Sequence, residues 1–315
     1  MNQLKKVVFM GTPDFAVGSL RALLESGRYE VTAVVSQPDR PKGRGHKMIP
    51  TPVKAYALEQ GLPVYQPEKV KEPEFVAKLK EWNPDFIVVA AFGQFLTQEI
   101  LDIPRYGCIN VHASLLPKYR GAAPIQYAIV KGEKESGVTI MRMEKGMDTG
   151  AMYSKVVVPI GPETSFEELH DILAEKGAEL LVETMPRIEE GLEPEPQNEA
   201  EVTMATLLTK DMAEIHWEKS AQHVHDLVRG FDPVPGAFTW LPDGKLLKIW
   251  ETRVTDEPAK AEPGTVVHVT KKHFEVACGD FLLRILTLQP ASKKRMPAAG
   301  FLNGHGVSEG DKLGK

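Results

Sequence analysis

Across the first two-thirds of the chain, short apolar runs alternate with stretches of helical periodicity, and this alternation limits what the chain can fold into. Parallel strands cannot be joined by a tight turn, so strand, helix and strand in succession imply crossover units around a mostly parallel sheet. Strands are expected at 6–11, 31–36, 63–65, 86–91 and 108–111, with helices at 15–25, 52–59, 72–82, 98–102 and 124–130. The runs 138–143 and 151–158 then alternate with period two around the glycine-flanked turn 146–150, the pattern of a hairpin. An amphipathic helix over 165–183 closes this part. A Pro- and Glu-rich stretch without periodicity begins at Gly191, so 191–208 reads as a linker between a first domain, 1–190, and a second, 209–315. The second offers one helix at 220–229 and short alternating runs near 237–240, 246–252, 265–269, 273–277 and 281–286, a pattern that argues a small barrel or sandwich. The expected fold is therefore α/β: a Rossmann-like, mostly parallel sheet with helices on both faces, followed by an all-β domain.

Two domains also suit a length of 315 residues. A net charge of −5 argues against a protein that coats nucleic acid by bulk electrostatics, and the acidity is concentrated before residue 208. Any RNA contact must then be local. Two cysteines, Cys108 and Cys278, give neither a disulfide framework nor metal-ligand spacing, and the apolar run after Lys6 is a strand rather than a signal peptide core. A cytoplasmic location is expected. Gly11-Thr12-Pro13-Asp14 follows the first strand without the glycine spacing of a dinucleotide site, which argues against a nicotinamide cofactor.

The chemistry is concentrated in the run 107–121. Period-two alternation puts Cys108, Asn110 and His112 on one face of a strand, so an amide and an imidazole emerge together at its end, where open α/β sheets bind ligands. Read singly, Asn110 could cap a loop, His112 could be a satisfied core histidine and Asp148 could be an ordinary turn-former. Asn110-x-His112-x-Ser114-Leu115-Leu116-Pro117, with Arg120-Gly121, Ala122-Ala123-Pro124-Ile125-Gln126 and the downstream Asp148, resembles the family of enzymes that move a formyl group from 10-formyltetrahydrofolate to an amine. Within that family the chain is most similar to the members whose acceptor is methionyl initiator tRNA.

The resemblance implies Asn110, His112 and Asp148 as catalytic residues and 10-formyltetrahydrofolate as formyl donor, with no metal. It implies that the second domain is an OB-like barrel that binds tRNA, and that Ser114, Leu115, Leu116 and Pro117 form part of the folate pocket. Phe92 and Gly93, at the end of another strand, are a second candidate wall. Their residue types suit the chemistry: a neutral amide can donate to a developing oxyanion, an imidazole can move a proton near neutral pH, and a carboxylate can orient that ring.

The stretch 36–50 adds a substrate argument. Its prolines and glycines are expected to keep it out of regular structure, and Arg40, Lys42, Arg44 and Lys47 face a single acid, Asp39. Its place after the second strand makes it a candidate to touch the phosphates of a tRNA acceptor end. In the second domain, Lys293-Lys294-Arg295 is a weaker cationic candidate. Two alternatives stay open: a formyltransferase for a small amine, such as glycinamide ribonucleotide or an amino sugar nucleotide, and a non-catalytic RNA-binding protein on the same scaffold. No membrane or obligate protein partner is implied.

Overall fold

The structure, a computed structural model, describes residues 4–42, 47–304 and 306–314. The chain divides into two units, one of 1–124, 135–159 and 170–205 and the other of 125–134, 160–169 and 206–315.

The first unit holds β1 (Lys5–Gly11), α1 (Asp14–Glu25), β2 (Tyr29–Val35), β3 (Arg40–Lys42), β4 (Lys47–Ile49), α2 (Pro52–Glu59), β5 (Val64–Tyr65), α3 (Pro73–Trp82), β6 (Phe86–Ala90), α4 (Gln98–Leu101), β7 (Cys108–His112) and β8 (Arg120–Gly121). After α5 (Pro124–Val130) come β9 (Glu135–Arg142), β10 (Met152–Pro159), α6 (Phe166–Glu189) and β11 (Met204–Ala205). Seven strands form one sheet in the order β10-β9-β7-β6-β1-β2-β5. β5, β2, β1, β6 and β7 run parallel, and β9 joins antiparallel to β7 and to β10.

Both faces of this sheet are covered, as near-continuous apolar strands require. Val8, Met10, Ala33, Val35, Ile87, Val89 and Cys108 pack on one face with Phe75, Val76 and Leu79 of α3 and Ile100 and Leu101 of α4. On the other face α6 approaches so closely that a Cβ on Gly177 would lie 3.0 Å from Val111 Cγ1. Caps fix the helix starts: Thr51 accepts the Lys54 N–H ahead of Pro52, which opens α2 at the first helical position. α6 runs past its expected end at 183, through Pro186 to Glu189. Met185 and Ile188 are buried with Leu181, so the apolar stripe outweighs the one backbone bond the proline removes.

The second unit has α7 (Ala221–Gly230), β12 (Phe238–Trp240), β13 (Leu246–Pro258), β14 (Val266–Val269), β15 (Phe274–Ala277), β16 (Phe281–Pro290), β17 (Met296–Pro297) and α8 (Ala298–Leu302). Its strands form an antiparallel sheet in the order β12-β13-β16-β15-β14, with β17 on β16. Ser220 caps α7 by accepting the His223 N–H, and Val224, Leu227 and Val228 then face a core with Trp217, Ile249, Phe274 and Ile285.

Both cysteines are fully buried. Burial pushes the Cys108 thiol far up from its ordinary range, and Asp102 adds to the effect. Burial, with Asp280 nearby, pushes Cys278 up to about 12. Since the thiolate is the reactive form, neither should be alkylated by iodoacetamide in native protein at about pH 8, and both should be labelled in denaturant. Mass spectrometry of the labelled chain checks this; rapid native labelling would contradict it. Among the described residues, no helix is long and apolar enough to cross a membrane.

Candidate active site

From β1 the chain first builds the sheet on one side, as β2 and β5, and then crosses to the other, as β6 and β7. The crevice where that order reverses opens at the carboxyl ends of the strands, and β7 delivers Asn110 and His112 beside it. Both side chains are almost buried, at 9% and 6% exposure. β9 lies alongside, with His112 opposite Thr139 and Asn110 opposite Met141.

His112 is held at one nitrogen and faces a carboxylate at the other. Nε2 lies 3.0 Å from the Tyr119 carbonyl oxygen, which can only accept, so that nitrogen carries a proton. Nδ1 lies 3.6 Å from Asp148 Oδ2. In the neutral ring Nδ1 presents a lone pair to the carboxylate, and a proton added there makes an ion pair. The same Oδ2 accepts the Gly121 N–H at 2.8 Å. Asp148 stands at φ 53 in the glycine-flanked turn, a left-handed position that aspartate tolerates better than most residues. Imidazole, carboxylate and the Gly121 N–H thus meet at one oxygen. Asn110 shares its strand face with His112 two residues on, and among the described residues its amide takes no protein hydrogen bond.

The loop after β7 is committed mostly to the protein itself. Ser114 Oγ donates to the Lys118 carbonyl at 2.6 Å, Thr139 Oγ1 bridges the Ser114 carbonyl and the Leu116 N–H, and Lys155 donates to the Leu116 carbonyl. Ser114, Leu116 and Pro117 are buried, while Leu115 is half-buried. Phe92 is 2% exposed and belongs to the sheet core, so its ring packs rather than lining an open wall. Gly93, at φ +85, stands by Gln37, whose amide donates to the Phe92 carbonyl.

The basic segment departs from expectation. Instead of an irregular loop, β3 and β4 form a two-stranded ribbon with Arg40 opposite Ile49 and Lys42 opposite Lys47. Pro41 is tolerated because the ribbon joins no larger sheet and edge positions need no ladder N–H. Its base is anchored: Lys54 and Gln66 both bond Asp39, and they hold its carboxyl below the ordinary carboxylate range. Arg40 is exposed. Arg44 lies outside the described residues. In the second unit, Arg295 is committed to Asp232 at 2.6 Å and stacks 4.0 Å over Trp250.

Sequence reasoning assigned no role to two residues at the site's edge. Arg120, 5% exposed, donates through Nε to Gln197 Oε1 at 2.9 Å and pairs with Glu199, whose carboxyl it lowers from the usual range. Gln197 Nε2 donates to the carbonyls of Asp148 and Gly150, each at 2.7 Å. Gln197 falls in the stretch expected to be a linker, yet up to Ala205 that stretch is packed into the first unit.

Residues 5–185 match the model of the formyl transferase family, and 207–306 match that of the formyl transferase C-terminal domain. The methionyl-tRNA formyltransferase of Magnetococcus marinus is 52% identical over 98% of both chains. That of Caldanaerobacter subterraneus subsp. tengcongensis is 50% identical, over 98% of this chain and 99% of its own. Among solved structures, the sugar 3N-formyl transferase WlaRD, determined with dTDP and 5-N-formyl-THF, superposes with a TM-score of 0.67 at 18% identity, covering 93% of this chain and all of that one. HypX from Aquifex aeolicus in complex with tetrahydrofolic acid gives 0.62 at 18% identity, covering 95% of this chain and 47% of its own.

Proposed function

From the premise that this chain belongs to the formyl transferase family, we propose that it transfers a formyl group from 10-formyltetrahydrofolate to the α-amino group of methionyl initiator tRNA, the modification that marks the first amino acid of a nascent chain. Near-complete coverage of relatives bearing that activity's name, at about half identity, carries the choice of substrate. The sugar-modifying neighbours share only the fold.

In the transfer, the amine nitrogen bonds to the formyl carbon, the bond from that carbon to the folate N10 breaks, and one proton passes from the amine to N10. The intermediate carries an oxyanion. The Asn110 amide donates to it, in a nearly buried position where a hydrogen bond is stronger than in water. His112 supplies the second donor when its Nε2–H turns from the Tyr119 carbonyl to substrate, and Asp148 stabilises the charge arriving at Nδ1. An α-amino group has a reference pKa of about 7.7–8.0, so a fraction is already neutral near pH 7 and no strong base is needed for attack. Gly93 offers main-chain groups to the pterin edge and Leu115 offers apolar surface, while Ser114, Leu116 and Pro117 hold the shape of the loop beside it.

The test is direct: incubate the protein with 10-formyltetrahydrofolate and charged initiator tRNA, hydrolyse the ester, and weigh the released methionine. One added formyl group is expected. Formylation of glycinamide ribonucleotide or an amino sugar nucleotide, with none on tRNA, would reverse the substrate reading.

Arg40, Lys42, Arg44 and Lys47 supply the positive charge that meets acceptor-end phosphates, and the second unit grips the tRNA body. Arg40→Glu should raise the KM for tRNA several-fold, flatten its dependence on salt by about one phosphate contact, and leave the KM for the folate unchanged. Steady-state kinetics across a salt series measure all three. An unchanged salt slope would remove Arg40 from the contact.

A further inference from the structure

Gln197 lies within a segment that is fastened along its length to both loops that meet at the site. Glu195 exchanges backbone bonds with Met152, beside the Asp148 turn. Thr203 accepts from Tyr119 and Arg120, and Ala205 accepts from Ala122, beside the loop that holds His112. Between these fastenings the Gln197 amide, 9% exposed, takes three partners: both N–H groups go to the carbonyls of Asp148 and Gly150, and the oxygen accepts from Arg120. The two carbonyls flank Thr149, so the pair of bonds fixes the turn that carries the carboxylate. Apart from them, the left-handed aspartate between glycines is tied through its carboxylate, to the Gly121 N–H.

We infer that Gln197 is a positioning residue for formyl transfer, acting through Asp148: it sets the carboxylate where Oδ2 meets both His112 Nδ1 and the Gly121 N–H. Only a carboxamide can donate to two carbonyls while accepting from a guanidinium, so the position is specific in chemistry as well as in size. The inference rests on the part of Asp148 in the proposed reaction.

Gln197→Glu keeps the size and the acceptor for Arg120 but turns an oxygen toward the two carbonyls. Parent, Q197E, D148N and the double variant are compared in single-turnover transfer to methionyl-tRNA, each checked for folding by thermal melt. Q197E should be slowed about ten-fold, with both KM values within about two-fold of the parent. In the D148N background the same change should cost less than about two-fold, because nothing is left to position. A Q197E rate within two-fold of parent, or an equal loss in both backgrounds, would overturn the inference. If Q197E does not accumulate folded, Q197M, which removes the donors without adding charge, is read by the same two criteria. An inactive parent would instead count against the proposed function.

Discussion

Replacing Asn110 or His112 with alanine should slow single-turnover formyl transfer by about 10²–10³-fold, the loss expected when one donor to a developing oxyanion is removed. Asn110 is neutral throughout, so Asn110→Ala should lower the rate by the same factor across the pH range. Neither change should melt the protein early. The Asn110 amide has no protein partner to lose among the described residues, and His112 gives up one carbonyl contact and one long carboxylate contact. Near-normal turnover in either folded variant would refute its role.

Gly121→Ala should damage stability and activity together. Gly121 has φ 122, a conformation that L side chains rarely adopt, and an added Cβ would lie 2.5 Å from the Ala205 carbonyl oxygen. That atom is backbone and cannot rotate away, so β8 and β11 must separate. The Gly121 N–H that holds Asp148 Oδ2 moves with them. Strain of this kind costs about 1–3 kcal/mol, and each kcal/mol lowers the melting temperature of a unit this size by about 2–4 °C. Calorimetry should show a drop of several degrees, with formyl transfer slowed more than about ten-fold. A variant with the parent's melt and rate would show that the strand pair is not what aligns the carboxylate.

The parallel core was legible in sequence because each of its strands is buried on both faces. Phe86–Ala90 and Cys108–His112 could therefore be read as short apolar runs between helices. Period two also assigned the faces of β7 correctly. Cys108 points to the α3 and α4 side and Val111 to α6, which leaves Asn110 and His112 together at the strand's end. Segments held by polar contacts left no such trace. Gln197 belongs to an extended stretch fixed by backbone and amide bonds, with no apolar repeat to mark it, and Pro and Glu made it resemble a connector. Lys42 and Lys47 were read as part of an irregular loop because a proline and two glycines stand between the ends of the ribbon that pairs them. At Phe92 an aromatic ring at a strand end suggested a ligand wall, and the ring is packed into the sheet core.

The second unit is assembled from three separate stretches of chain, 125–134 and 160–169 being far from 206–315 in number. Gly230 of α7 packs closely on the first of these stretches: a Cβ there would lie 2.8 Å from Val130 Cγ2 and 3.1 Å from Ile129 Cγ2. The unit therefore cannot be cut away at one peptide bond or exchanged for another at a single junction. A fragment ending at residue 205 would keep Ile129 and Val130 as orphaned apolar surface, so hybrids with a foreign C-terminal half would need matched crossovers at both ends of 125–134 and 160–169 as well as at 205/206 to remain soluble.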